Sequence, residues 1–192
     1  MLIRTDGKLH ARCDMVLVEN LEGSLADVTI AKDLDNGSVG VLGDYSAVER
    51  EVRAFSAPAG TETKNDLYIL CAPELIYDES RKALGGFKHY YNVGTASING
   101  NPEAYRAYPM SKVKKFKISE EGIDASDVSD RLEVGQYVKV EAGSYTFKAT
   151  SSQEAGVVGK IVRIDQEGIK NVYDKNNDFL GLSYNMYVIQ VL

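Results

Sequence analysis

The pattern of apolar and polar positions is sharpest in the C-terminal part of the chain, from residue 111 onwards. Apolar and polar residues alternate there in short runs, which is the period of a half-buried β-strand. The runs lie at 115–118, 137–141, 145–148, 157–164 and 184–192. Turns between them are marked by Gly135, Gly143, Gly156 and Gly181. The pattern predicts a small β-barrel or sandwich-like unit over residues 111–192.

Residues 21–110 carry weaker patterns, interrupted by long polar stretches. Two β-type runs, 28–31 and 39–42, flank Asn36-Gly37, a pair that favours a hairpin turn because both residues tolerate positive φ. The run "DLYILCAP" (66–73) predicts a buried strand that ends at a proline. The spacing of Val48, Val52 and Phe55 fits either a helix or an irregular strand.

The rest of that region predicts irregular chain with at most one or two short helices. Leu75, Ile76 and Leu84 stand among good helix formers, so one short helix or turn is expected there. Residues 85–110 are rich in Gly, Asn, Ser and Tyr and predict a long excursion, where binding residues often lie. Residues 1–20 lack a period and are interpreted as an N-terminal arm, to which "MVLVEN" could add one strand.

The expected fold is therefore mainly β, in three regions. An N-terminal arm (1–20) precedes a hairpin-containing region with long irregular loops (21–110), and a barrel-like unit (111–192) follows. These regions can equally form one composite domain, because 192 residues suffice for a single core.

Composition and charge argue against several classes of function. The net charge of −6 opposes non-specific binding to nucleic acid or to an anionic membrane. No apolar run approaches the 18 residues of a transmembrane helix, and the first residues lack a secretory signal. Cys13 and Cys71 follow no metal or disulfide spacing, so we expect two small buried hydrophobes in a protein of a reducing cytoplasm.

No stretch predicts a catalytic, cofactor or metal site. His10 and His89 lack the context of a nucleophile and base, so surface or structural roles are expected. Two acidic segments, "DLDNGS" (33–38) and "DKNNDF" (174–179), depart from a calcium loop in several ligand positions, and turn chemistry explains them better. The acidic block at 119–136 predicts a solvated face rather than paired catalytic carboxylates.

The stretch "YRAYPMSKVKKFKIS" (105–119) mixes lysines with aromatics, as a single-stranded nucleic-acid groove does. Residues 86–118 hold six basic residues against one acidic residue, whereas residues 119–136 hold six acidic residues against one basic residue. If the chain turns back at Gly122, the two blocks largely cancel. We therefore expect these lysines to lie on the solvent-exposed face of a strand, with Phe116 and Ile118 pointing inward. On this charge balance, nucleic-acid binding is unlikely.

Several segments, taken in order, resemble a known family. The succession is "NLEGSLADVTIAKDLDNGSVGVLGD", "EREVRAF", "LYILCAPELIYDES", "YRAYPMSKVKKFKIS", "VGQYVKVEAGSYTFKA" and "VGKIVRI". It resembles the capsid decoration proteins of tailed bacteriophages, also called cement or head-stabilising proteins, over about residues 20 to 165. Order and spacing carry the resemblance. One departure is Lys114-Lys115, where the family pattern has a Gly-Asp turn before the phenylalanine strand.

The resemblance implies a non-enzymatic virion protein without cofactors. Such a protein binds the outside of an assembled shell and stabilises it by bridging major capsid protein subunits, with neighbouring copies of itself as possible further partners and no membrane. Its place would be the capsid exterior, and the host cytoplasm during assembly. The expected contact residues are tyrosines and an arginine of the middle section, because these types are enriched at interfaces: Tyr90, Tyr91, Tyr105, Arg106 and Tyr108.

Two other functions remain open from the residues alone. One is a β-barrel nucleic-acid-binding module that uses the lysines at 112–117. The other is a carbohydrate-binding or fibre-base domain on a virion surface, in which the same tyrosines stack on sugars.

Overall fold

The computed structural model describes residues 11–19, 24–47, 50–71, 90–91, 104–129, 131–169 and 182–192, with the backbone alone for 90–91, 168–169 and 182–184. In chain order the strands are β1 (Cys13–Val18), β2 (Ala26–Ile30), β3 (Leu34–Asp35), β4 (Val39–Tyr45), β5 (Val52–Ser56), β6 (Leu67–Leu70), β7 (Tyr90–Tyr91), β8 (Tyr105–Pro109), β9 (Val113–Ser119), β10 (Ile123–Asp124), β11 (Tyr137–Lys139), β12 (Phe147–Thr150), β13 (Val157–Ile169) and β14 (Leu182–Val191). The predicted mainly β fold is confirmed.

Five strands close into a barrel in the order β2-β5-β4-β6-β8. β2 and β5 are parallel, and the other neighbours are antiparallel. Closure depends on the pairing of β2 with β8, which places Asp27 opposite Arg106. The interior of the barrel is filled by Val28, Leu34, Phe55, Leu70, Tyr105 and Ala107.

The hairpin predicted between 28–31 and 39–42 is wrong, although both runs are strands. β5 lies between β2 and β4, and the short β3 precedes the turn and pairs with β7. The Asn36-Gly37 turn joins β3 to β4, with Ser38 N–H donating to the Asp35 carbonyl at 3.1 Å. Only Gly37 of the central pair takes a positive φ, 95°. That is the geometry of a type II turn, whereas two-residue hairpins favour type I′ or II′ turns, whose twist matches that of the strands.

The C-terminal strands form a seven-stranded sheet in the order β1-β9-β14-β13-β11-β12-β10. All five runs predicted after residue 111 are strands of this sheet, and the apparent arm adds a sixth. Residues 111–192 are predicted as a small barrel or sandwich-like unit and form most of this sheet, whereas the closed barrel is formed by strands between residues 26 and 109. Alternation predicts strands, but closure of a barrel depends on which distant strands pair.

One large core joins the barrel to the sheet. Val39, Leu67 and Ile69 of the barrel pack in the same cluster as Phe116 and Phe147 of the sheet. All five side chains are fully buried, and the two phenylalanine rings lie 5.5 Å apart between centroids. The barrel and the sheet are therefore parts of one packed unit.

The prediction of an N-terminal arm over residues 1–20 is wrong for residues 11–19, which are packed into the fold. β1 is the edge strand beside β9. Its entry is held by Ala11 N–H, which donates to Asp35 Oδ2 at 3.1 Å, and by Arg12 N–H, which donates to Ser119 Oγ at 2.9 Å. Ala11 and Cys13 are buried at 1% and 0% exposure, so this segment is fixed by packing as well.

Helical structure in the described residues is limited to three 3-10 segments, Met110–Lys112, Glu120–Gly122 and Ser126–Val128. No helix in the described part of the chain is long and apolar enough to cross a membrane. The helix or turn expected around residues 75–84 and most of the excursion at 85–110 lie outside the described residues. The described end of that excursion is regular, because Tyr105–Pro109 form β8, a strand of the barrel.

Candidate functional site

The barrel carries a cleft of about 420 Å³ at one mouth. Its floor is partly buried apolar surface from Ala26, Leu42 and Tyr68, which pack on the barrel interior. Barrel mouths are common places for binding sites, because strands converge there on a concave surface. The cleft is lined by Ser24, Leu25, Ala26, Asp27, Leu42, Tyr45, Glu51, Arg53, Tyr68, Pro109, Ser111 and Lys112.

Arg53 and Tyr45 lie side by side on the rim of the cleft. The register between β4 and β5 shifts between Leu42 and Tyr45, so β4 holds one extra residue there. Arg53 Nε donates to the carbonyl of Gly43 at 2.9 Å, and another guanidinium nitrogen donates to the carbonyl of Leu42 at 3.4 Å. Its guanidinium lies 5.1 Å from the centroid of the Tyr45 ring. The arginine side chain is thus held in place by backbone carbonyls of β4.

Apolar surface is also exposed on this rim. Tyr45 is 65% exposed and Leu25 is 37% exposed, so both offer apolar surface beside the cleft. The charged side chains around the cleft are Asp27 and Glu51 against Arg53 and Lys112. Because the two signs are equally represented, the rim suits a partner of mixed polarity better than a polyanion.

The five predicted contact residues are not all available for contact. Tyr105 is 5% exposed and fills the barrel interior. Tyr108 is half-buried against the large core, where burial, above all, raises its pKa and the nearby Arg106 offsets part of that rise. Arg106 is exposed on the outer face of β8. Tyr90 and Tyr91 form β7 opposite β3, and their side chains lie outside the described set.

Two of the three lysines of β9, Lys114 and Lys117, are paired with carboxylates, but these do not come from the acidic block at 119–136. Lys117 pairs with Glu167 and lies 3.9 Å from Asp14, and Lys114 lies 3.0 Å from Glu19. These carboxylates come from β1, the residue after it, and β13. Phe116 and Ile118 point inward at 0% exposure, as predicted.

Asp127 of the acidic block contacts Lys148 and Lys139 instead, at 3.2 and 3.6 Å. These two lysines also pair with Glu141 and Glu154, respectively. Asp127 is thus part of a surface ion-pair network with the lysines of β11 and β12.

The metal and catalytic candidates considered above give no site within the described residues. Asp35 accepts the Ala11 N–H, and no group of three His, Cys, Asp or Glu that could hold a metal occurs in that part of the chain. His10, His89 and the segment 174–179 lie outside the described residues.

Sequence reasoning did not find Tyr45 or Arg53. Tyr45 follows the Gly43-Asp44 pair and Arg53 lies in a run whose period was ambiguous, so neither stood in a recognisable motif. The feature that identifies these two residues is the bulge in β4, which exists only because β4 pairs with β5.

Comparison with protein families, with curated proteins and with solved structures finds no match to the chain.

Proposed function

We propose that this chain is a structural virion protein that binds the outer surface of an assembled phage capsid and stabilises it by bridging major capsid protein subunits. The proposal starts from the resemblance in the order and spacing of its segments. It gains support from where those segments lie in the fold.

The observation that carries the proposal is the origin of the cleft. Every lining residue except Tyr45 lies within the segments that resemble decoration proteins. The same segments supply all five barrel strands. The concave surface of this chain is thus built from the part of the sequence to which the resemblance applies.

The chemistry of that surface suits a protein partner. Tyr45 and Leu25 offer apolar area, while Arg53 is pre-ordered by two backbone carbonyls. Tyrosine and arginine dominate the energetics of many interfaces, because they bury large area and keep polar groups that can pair. Arg106 extends this surface along the outside of β8, opposite Asp27. We define the barrel-mouth surface as Leu25, Asp27, Tyr45, Arg53 and Arg106.

The test mixes the purified full chain with undecorated phage capsids. We expect co-sedimentation with the capsids, saturation at a fixed ratio to the major capsid protein, and a rise in the capsid melting temperature. Absence of co-sedimentation together with an unchanged capsid melting temperature would remove the proposal. A capsid of an unrelated phage serves as the control for non-specific association.

A further inference from the structure

Two cysteines that are distant in the sequence meet in the core. Cys13 begins β1, the edge strand of the seven-stranded sheet, and Cys71 directly follows β6 in the barrel wall. They are separated by 58 positions, yet Cys71 Sγ lies 3.4 Å from the carbonyl oxygen of Cys13. Both are free thiols at 0% exposure.

The surroundings hold the first cysteine firmly. Asn36 Nδ2 donates to the Cys13 carbonyl at 3.4 Å. A Cβ atom on Gly37 would lie only 3.0 Å from Cys13 Cβ, so the neighbouring turn packs directly against it. A disulfide forms without backbone movement only where two cysteines are already neighbours. Here the fold brings the pair together and packs Cys13 tightly in place.

We propose that Cys13 and Cys71 form a disulfide site that cross-links the edge strand β1 to the barrel wall. The oxidant is a low-molecular-weight disulfide of the glutathione class. This inference is independent of the capsid function proposed above.

The exchange proceeds in two steps. The thiolate of one cysteine attacks the external disulfide, forming a mixed disulfide and releasing one external thiol. The thiolate of the second cysteine then displaces the other external thiol. One S–S bond forms between Cys13 and Cys71, and one S–S bond of the oxidant breaks. Two electrons pass to the oxidant, and its two sulfurs take up the two protons that the cysteines lose.

Burial decides when this reaction can occur. Burial, above all, raises the pKa of Cys13 well above its usual range, and the neighbouring Cys71 raises it further. The folded protein therefore holds little reactive thiolate, and the external disulfide cannot reach it. Oxidation must take place during folding or while β1 is transiently detached from β9.

The bond would close a loop that contains four of the five barrel strands, β2, β4, β5 and β6. Loop closure of this length in the unfolded chain favours folding by roughly 1,000-fold in the equilibrium constant. This gain in stability requires that β1 remains paired in the sheet, because the disulfide attaches β1 to the barrel wall at its first residue, Cys13.

The experiment refolds the full chain from urea, either with mixed reduced and oxidised glutathione or with dithiothreitol. We expect the first sample to be a monomer without titratable thiols, with a mass lower by two hydrogen atoms and a higher urea midpoint. Dithiothreitol added under denaturing conditions should abolish that rise. Cys13→Ala and Cys71→Ala are matched controls, which should keep one thiol or carry one glutathione and show no rise.

The comparison of oxidised with reduced wild-type protein needs no variant to fold. Two free thiols, two glutathione adducts or a disulfide-linked dimer after oxidative refolding would overturn the proposal. So would an oxidised monomer whose urea midpoint equals that of the reduced protein.

Discussion

The ring of Phe55 occupies the space where Gly40 lacks a side chain. A Cβ atom on Gly40 would lie 2.7 Å from Phe55 Cζ and 2.5 Å from the carbonyl oxygen of Ser56. Phe55 in turn stacks on Tyr145, with ring centroids 5.8 Å apart, so it cannot move away freely. Packing of the barrel interior thus requires a glycine at position 40, although this residue lies within strand β4 and not in a turn.

Gly40→Ala should therefore destabilise the fold. The added methyl group meets both a ring and a backbone oxygen, and overpacking of this kind costs about 1–3 kcal/mol. Urea unfolding monitored by circular dichroism measures the loss. Gly43→Ala on the same strand is the control, because its nearest contact is Ala54 Cβ at 3.3 Å. Equal losses in the two variants would contradict the packing argument.

The loop after β5 should make the free energy of unfolding fall at acidic pH. The Glu62 carboxylate accepts N–H bonds from Ala59, Gly60 and Thr61 at 2.5, 2.8 and 3.0 Å. Partial burial raises the pKa of Glu62, but these backbone bonds outweigh that effect and lower it below 4.5. A carboxyl whose pKa is lowered in the folded state stabilises the fold above the unfolded value. Its contribution is lost as the pH falls from about 4.5 through the lowered folded value.

Glu62→Gln should reduce stability at pH 7 by about 0.5–1 kcal/mol, a modest loss because solvent screens this loop. The difference from wild type should shrink as the pH is lowered towards 3, which unfolding curves at several pH values would record. Glu133→Gln is the control, since the partner of that exposed carboxylate is the side chain of Arg131. A Glu62→Gln deficit that stays constant with pH would refute the assignment.

Lys117 should matter more for stability than its neighbour Lys115. Lys117 faces Glu167 and Asp14, and Arg12 joins the same carboxylates at 3.4 and 2.8 Å. Lys117→Glu brings three negative charges together and should cost about 1–3 kcal/mol, less at high salt. Lys115→Glu is the matched control, because Lys115 makes no ion pair with any described residue. Thermal melting at low and high salt separates the two variants.

Capsid binding should depend on the barrel-mouth surface. Tyr45→Ala and Arg106→Glu are each expected to weaken binding about tenfold or more, because Tyr and Arg side chains commonly anchor interfaces. Both side chains are exposed, so the fold should tolerate the changes. Co-sedimentation with capsids at varied protein concentration measures the affinity. Val134→Ala and Arg131→Ala are exposed controls outside the barrel, and a loss of binding in them equal to that of the test variants would contradict the assignment.

The sequence by itself determined the strands that alternate clearly, above all those after residue 111, and which of their faces is buried. Alternation with a period of two is a local property, which is why Phe116 and Ile118 could be placed inward from residues 115–118 alone. Because the pattern is local, it also led to the wrong prediction of a hairpin at Asn36-Gly37. The dipeptide predicts a turn, but only the neighbours of β3 and β4 decide that the turn does not close a hairpin.

The tertiary structure alone decided which strands are neighbours. Pairing of β2 with β8 closes the barrel in the N-terminal half, and pairing of β4 with β5 creates the bulge that positions Arg53 beside Tyr45. Cys13 and Cys71 meet for the same reason. These relationships join residues far apart in the chain, and the free energy that selects them comes from packing a shared core, which no local pattern encodes.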